Sequence, residues 1–368
     1  MKQYFYSFSL LALLASTIPF VVNTHSTNSL SVDNMMTGCD NGRIYVDANA
    51  GGTEDGETWG NAYTKLQDAL DEACACGNPV EIWVAQGTYY PDEGMTPTPN
   101  DRSSTFQLCN NVALYGGFSG AGTETLLSER DFENNVTILS GDLQQNDSQQ
   151  PIVTDIATLT SNDDNAYNVV TGSGTDNTAI LDGFTITGGN ANDDFSVPDN
   201  VGAGMYNENG SPTISNSVFS GNNAFIFGGG MFNSAGSSPT ISNSVFSGNN
   251  AISDGGGMFN DNSSPTISNS VFSGNNATNG GGMFNTLNSS PTISNSVFSG
   301  NIATFGGGCL ITKIPRRRSA IPSFGTIRQM ELRRLLVHPF RILMMVPFLR
   351  YPTRSSPTPV GVTVGIQP

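Results

Sequence analysis

The sequence predicts an all-β chain built as a right-handed parallel β-helix, a solenoid of about 26 residues per coil. Three observations predict it. First, the string SPTISNSVFSGNNA at Ser211–Ala224 returns unchanged at Ser238–Ala251 and Ser264–Ala277, and returns at Ser290–Ala303 with Ile302 as its one change. Second, GGGMFN separates the copies at Gly228–Asn233, Gly255–Asn260 and Gly280–Asn285. Phe219, Phe246, Phe272 and Phe298 therefore fall 27, 26 and 26 residues apart. A fixed period of this length marks stacked units rather than a single active site. Third, the repeat is too rich in Gly, Ser, Asn and Thr for a helical solenoid. It offers three short extended pieces instead, Gly-Met-Phe-Asn, Pro-Thr-Ile-Ser and Ser-Val-Phe-Ser, with turn-forming letters between them.

Each element follows from that frame. Residues 1–25 read as a secretory signal, with Lys2 at its start and an apolar core at Leu10–Val22 too short to span a membrane. Met36-Thr37-Gly38-Cys39 has a lipobox flavour but lies too far from that core for lipidation to be expected. Residues 40–200 read as irregular first coils, with pieces at Glu81–Tyr90, Thr105–Leu108, Val112–Phe118, Val136–Gly141, Tyr167–Thr171 and Ala179–Gly188. A helix over 64–73, with Thr64 and Gln67 as a capping box and Leu66, Ala69, Leu70 and Ala73 as its apolar face, is placed to plug the open end of the stack. Residues 201–309 form the regular array, opened by Gly202–Asn207.

Stacking at strand spacing, about 4.8 Å, turns equal positions into columns. Ile214, Ile241, Ile267 and Ile293 form one apolar column; the four Phe residues form a second; Met231, Met258 and Met283 form a third. Asn216, Asn243, Asn269 and Asn295 fall in a tight turn, where Asn tolerates left-handed backbone and can bond to the Asn above. A charge at a repeated position would meet its like in the next coil, at a cost of about 1 kcal/mol even in water. From Asp131 to Thr312 there is no Lys, Arg or His.

The FSGN strings, starting with Phe219–Asn222, and the GGGMF strings resemble the repeats of polymorphic outer-membrane proteins. Those repeats belong to bacterial surface β-helices of the pectin-lyase-like superfamily, found in adhesins and secreted proteins. The resemblance covers about Gly202–Gly308; IYVDANAGG, WVAQGTYYP and LDGFTITGGN extend a looser one toward the N-terminus. It implies the fold and a location outside the cell or at the outer membrane, and it implies no catalytic residue.

The tail is another matter. Ten of the fifteen Lys and Arg fall after residue 309, against one acid, Glu331. Met-Phe-Asn can be written ATG TTT AAT, which one base later reads Cys-Leu-Ile, the residues at Cys309–Ile311 where Met-Phe-Asn is due. CCG ACG ATC AGC AAT TCC G spells Pro-Thr-Ile-Ser-Asn-Ser, and one base later it spells Arg317–Pro322. Thr-Ile-Ser-Asn-Ser hides in the same way under Arg350–Arg354. Residues 310–368 are therefore expected to be a frameshifted, disordered tail whose charge carries no selected function.

Function is expected to be structural or adhesive, with a surface glycan or protein bound along a polar face and no nucleic acid, given the acidity before the tail. The alternative is a polysaccharide lyase or glycosidase. Lyase chemistry wants a cationic base, and the cations between signal and tail are Arg43, Lys65, Arg102 and Arg130, none on a regular coil. Hydrolysis wants paired carboxylates. Glu208, Asp254 and Asp261 recur at no repeated position, so Asp163, Asp164, Asp193 and Asp194, with Asp182 and Asp199, are the weak catalytic candidates. Asp in Asn/Gly loops is more often turn chemistry. No cofactor is expected; the one oxygen-rich set for calcium is Asp47, Asn49, Glu54 and Asp55, in a spacing that matches no standard loop. The GGG runs lack the Lys and helix of a phosphate loop, and the Asn-Xaa-Ser/Thr triplets matter only in a eukaryotic secretory path. Cys39, Cys74, Cys76 and Cys109 allow up to two disulfides in three connectivities, and with no His between His25 and residue 310 a zinc site is not expected.

Overall fold

The computed structural model describes residues 37–193, 196–286 and 288–312. The signal segment, Asp194 and the tail beyond 312 lie outside the described residues. Across the described residues the strands pair in parallel and stack into a right-handed β-helix.

Four sheets run along the stack rather than the three expected. The Ile sheet has eight strands, from Arg43–Val46 to Thr292–Ser294. The Phe sheet has seven, from Gly87–Tyr89 to Val297–Ser299. The Met sheet has seven, from Phe106–Gln107 to Cys309–Ile311. The fourth, of five strands from Asn190–Ala191 to Ile302–Phe305, was hidden among the turn letters Gly-Asn-Asn-Ala. Its strands can be two residues long because the coil needs only one further straight step there to close.

Registers are uniform. Ile214 pairs with Ile241, then Ile267 and Ile293; Phe219 with Phe246, then Phe272 and Phe298; Met231 with Met258 and Met283. Apart from Ile293, which is exposed, these residues and their counterparts in the earlier coils form one continuous core, with Phe298 packed half-buried against it. The Phe rings stack with centroids 4.7 Å apart at every step. Period-two alternation sends Phe232, Phe259 and Phe284 out of the Met sheet, where with Tyr206 they make a second stacked stripe under Ile226 and Phe227.

The Asn positions divide in a way the sequence reading did not foresee. Asn216, Asn243, Asn269 and Asn295 do take left-handed backbone, with φ between 47° and 50°. The Asn-to-Asn bond that forms among them is a long one of 3.3 Å, from Asn243 Nδ2 to Asn216 Oδ1, while Asn216 Nδ2 donates at 2.9 Å to Asp182 in the preceding coil. The buried ladders lie elsewhere. Asn222, Asn249 and Asn275 each donate to the next Asn at 2.9–3.0 Å, ending on Asn301. Asn249, Asn275 and Asn301 also donate at 2.9 Å to the Phe219, Phe246 and Phe272 carbonyls. Asn207, Asn233 and Asn260 form a second ladder ending on Asn285. Within the ladders the buried amides find partners in the neighbouring coils, save Asn207 Oδ1 at the head of the second, which is buried without one. The phenylalanine and asparagine of each FSGN string thus both point inward. In GGGMFN the central glycine is required by closeness: a Cβ on Gly256 would sit 2.4 Å from the Asn276 carbonyl oxygen.

The N-terminal end is plugged by a helix at Leu66–Ala75, two residues later than the expected 64–73. The expected capping box is not made: Lys65 is the N-cap and gives no side-chain bond. Tyr63 is held as a parallel bridge to Val46, so the chain is still extended where the box would begin. Leu66, Ala69, Leu70 and Ala73 face the core as expected. Disulfides Cys39–Cys76 and Cys74–Cys109 fasten this helix to the segments on either side, so Cys39 is a bridge residue in the lipobox-like string.

Candidate functional site

The outer face of the Ile sheet presents identical side chains coil after coil. In each Pro-Thr-Ile-Ser the Ile turns inward, so Thr and Ser turn outward. Thr213, Thr240, Thr266 and Thr292 align in one column, and Ser215, Ser242, Ser268 and Ser294 in another. Toward the N-terminus the Ser column continues through Asp182, Tyr115, Trp83 and Tyr45. The Thr column continues through Ile180, Ala113, Glu81 and Arg43. Hydroxyls thus give way to aromatic and charged groups along one flat strip.

That head of the strip is closed. Trp59, Trp83 and Phe118 pack as an outer cluster with Tyr45, Tyr115 and Leu127 against it, and the Arg43 guanidinium lies 3.6 Å from the Trp83 ring centroid. Arg130 reaches over the strip from the loop at 119–135, pairs with Asp182 at 3.0 Å and lies over the Tyr115 and Phe132 rings. Asp182 also accepts from Ser215 Oγ at 2.8 Å and Asn216 Nδ2 at 2.9 Å. Burial, with Glu81 and Asp182 close by, pushes the Tyr115 hydroxyl pKa up. The other cations among the described residues are engaged too. Lys65 pairs with Glu93 at 2.6 Å. Arg102 donates to the carbonyls of Asn165 (2.6 Å) and Asn190 (2.9 Å) and to Asn192 Oδ1 (2.7 Å), with its guanidinium over Tyr167.

Of the acidic candidates Asp182 lies on this face, while Asp163, Asp164, Asp193 and Asp199 sit off it, in two loops that Arg102 ties together. Asp163 is exposed. Asp164 accepts from Asn146 Nδ2 at 2.8 Å. Ser196 Oγ stands 3.2 Å from Asp193 Oδ2 and 3.3 Å from Asp199 Oδ2, and burial raises the Asp199 pKa. Asp47, Asn49, Glu54 and Asp55 serve their own turns: Asp47 accepts from the Asn49 backbone at 2.9 Å, Asp55 from Thr53 Oγ1 at 2.6 Å, and Glu54 takes φ 54°. Among the described residues no group of three or more His, Cys, Asp or Glu side chains is arranged to hold a metal.

A cluster that the sequence reading passed over lies beside Asp164. Asp142 organises the chain after the Phe-sheet strand Thr137–Ser140, accepting from the backbone of Asn146 (3.0 Å) and Asp147 (3.1 Å) and from Gln150 Nε2 (2.9 Å). Asn165 Nδ2 donates to Asp147 Oδ2 at 2.8 Å and to the Gly188 carbonyl at 2.7 Å. Burial pushes the Asp147 carboxyl up to about 7; the Asn165 bond opposes this, and the charges of Asp142 and Asp164 add to it. No spacing motif announces these residues, because 18 positions separate Asp147 from Asn165.

No protein-family model matches the chain, and no curated protein matches it in sequence. Among solved structures, pectate lyase Pel9A aligns with 16% identity and a TM-score of 0.34, over 71% of this chain and 64% of that one. The chain thus spans less than two thirds of that enzyme's length. A likeness of this size transfers no activity.

Proposed function

We propose that the chain is an exported scaffold, secreted or held at a bacterial cell surface, whose Thr/Ser strip binds a glycan. The observation that carries this reading is the pair of hydroxyl columns on the Ile sheet, in register over four coils and free of charge. Hydroxyls at strand spacing can exchange hydrogen bonds with a polymer that presents its own hydroxyls in regular array, and a neutral strip imposes no charge on that partner. An extended ligand would gain from many weak, similar contacts rather than from one deep pocket. The signal-like N-terminus and the resemblance of the repeats to bacterial surface proteins support the setting.

The lyase alternative is less well supported. Its chemistry wants a cationic base facing the substrate, and the cations at the head of the strip, Arg43 and Arg130, are already paired with Glu81 and Asp182. The test is retention of the full chain on a glycan array and on insoluble polysaccharides, alongside an assay for chain cleavage. Thr240→Glu together with Thr266→Glu should abolish retention. Retention unchanged by those substitutions, or no retention on any glycan, would reject the strip as the binding face. Cleavage lost on Asp164→Asn or Asp193→Asn would establish the enzyme reading in its place.

A further inference from the structure

The loop between the Phe-sheet strand Thr137–Ser140 and the Met-sheet strand Val170–Thr171 does not follow the coil. Its middle runs along the stack as a strap, across successive coils. Val153 donates its backbone N–H to Thr187 Oγ1 at 2.9 Å and accepts from Ser220 Oγ at 2.7 Å. Gly221 makes room for it, since a Cβ there would lie 2.4 Å from the Val153 carbonyl oxygen. Farther along, the strap walls a cleft of about 300 Å³ against Gly248, Asn250 and Gly274.

The root of this strap is a knot of oxygen atoms short of positive partners. Segment 146–147 is laced to segment 164–165 by two side-chain bonds, Asn146 to Asp164 and Asn165 to Asp147. Each accepting carboxylate keeps a second oxygen that is buried without a hydrogen-bond partner: Asp164 Oδ1 and Asp147 Oδ1. Asn165 Oδ1 is in the same condition. Asp147 is 6% exposed and Asn165 0% exposed, so solvent does not reach them freely. Asn165 is no part of an acidic run; it is a neutral amide whose donor end is fully used and whose acceptor end is not. Arg102, which reaches this region, spends its hydrogen bonds there on the Asn165 and Asn190 carbonyls and the Asn192 amide. Unpaired buried acceptors are costly, and these three belong to two segments laced side by side, where one electropositive partner could serve them together. Oxygen ligands of mixed carboxylate and amide type are what a hard divalent cation takes, with water completing the shell.

We infer that Asp147, Asp164 and Asn165 hold a calcium ion at the root of the strap and that the ion fastens the strap across the coils. The set is distinct from the turn at 47–55. With two carboxylates and one amide, affinity should suit an extracellular setting, with a dissociation constant on the order of 10⁻⁴–10⁻³ M.

The experiment uses the full chain stripped with chelator and titrated with calcium chloride. Melting temperature and hydrogen exchange at the Val153 and Asp155 amides are read together. Calcium should raise the melting temperature saturably and slow exchange at both amides. Asp164→Asn should weaken the response by at least about tenfold, and so should Asp147→Asn, which keeps the shape of the site and removes a charge. Terbium should bind in competition with calcium. No saturable response up to about 10 mM calcium, beyond the weak end of extracellular calcium modules, would overturn the inference. So would a response in both variants as strong as that of the parent chain, which would put the ion elsewhere. So too would a higher melting temperature for Asp147→Asn in chelator with no calcium effect on the parent chain, since the knot would then hold only a proton or water.

Discussion

Truncating the stacked phenylalanines one at a time measures how the core is shared between coils. Phe246 is 0% exposed and has a ring 4.7 Å away on each side, Phe219 and Phe272. Phe272 is placed alike, between Phe246 and Phe298. Among the described residues Phe298 stacks on Phe272 alone, and it is half-buried. Ile293 in the same coil is 36% exposed, although its equivalents in the three preceding coils are 0% exposed. Removing a buried Phe side chain costs about 3–5 kcal/mol through lost burial and the cavity left behind. Each aromatic contact contributes about 0.5–1.5 kcal/mol of specific geometry. Phe246→Ala and Phe272→Ala should therefore each cost about 3–5 kcal/mol. Phe298→Ala, with half the burial and one contact, should cost about 1–2 kcal/mol. Urea unfolding of the full chain reads the totals. Hydrogen exchange at the three Phe amides reads the local term, and protection should fall from Phe246 to Phe298. Equal costs and equal protection at all three would refute the reasoning, because a further coil would then have to cover Phe298.

Asn249→Ala should cost about 2–4 kcal/mol, since it strands the Phe219 carbonyl and the facing Asn amides; Asn243→Ala, which loses one long exposed bond and must hold φ 50°, should cost about 1 kcal/mol by the same urea assay. Thiol titration of the denatured, unreduced protein should find one free thiol, Cys309, and Cys74→Ser should lower stability by about 2–4 kcal/mol. In chelator, melting temperature should fall as pH rises from about 4 to about 7. The folded Asp147 pKa, raised to about 7, lies above its unfolded value, so the folded state binds the extra proton across that window and loses the advantage as the proton leaves. Asp147→Asn should flatten that slope, and an unchanged slope would place the titration on another group. Resequencing the gene near codon 308 should uncover repeat-like strings in the frame one base away; early stop codons there would return the basic tail to consideration.

The fold was legible because four near-identical strings leave little freedom: any register other than equal-on-equal would break the Ile, Phe and Met columns together. Alternation inside each string then fixes which side chains enter the core. What was not legible turned on closeness rather than pattern. Asn216 and Asn222 are equally repeated, yet only the second points inward, because Gly221 turns the chain between the Phe sheet and the short fourth sheet. The fourth sheet itself looked like turn, since Asn and Ala carry no strand signature. The outer Phe232 stripe needs the cover of Ile226 and Phe227, which lie outside the repeated letters. The oxygen knot at Asp147 and Asn165 depends on two loop segments meeting against Gly188, and nothing in the local sequence of either segment shows the other.

The uniform register has a genetic consequence. Every coil from Ser211 to Ala277 presents the same upper and lower surface, and its Asn and Phe partners in the next coil are the same residue types. Recombination between two copies of the repeat would delete or add one whole coil and leave a seam indistinguishable from the others. The chain can thus change length in units of one coil while its helix-plugged end, its disulfides and its strap stay as they are. Such an array works as a ruler whose number of divisions can change without altering the divisions themselves.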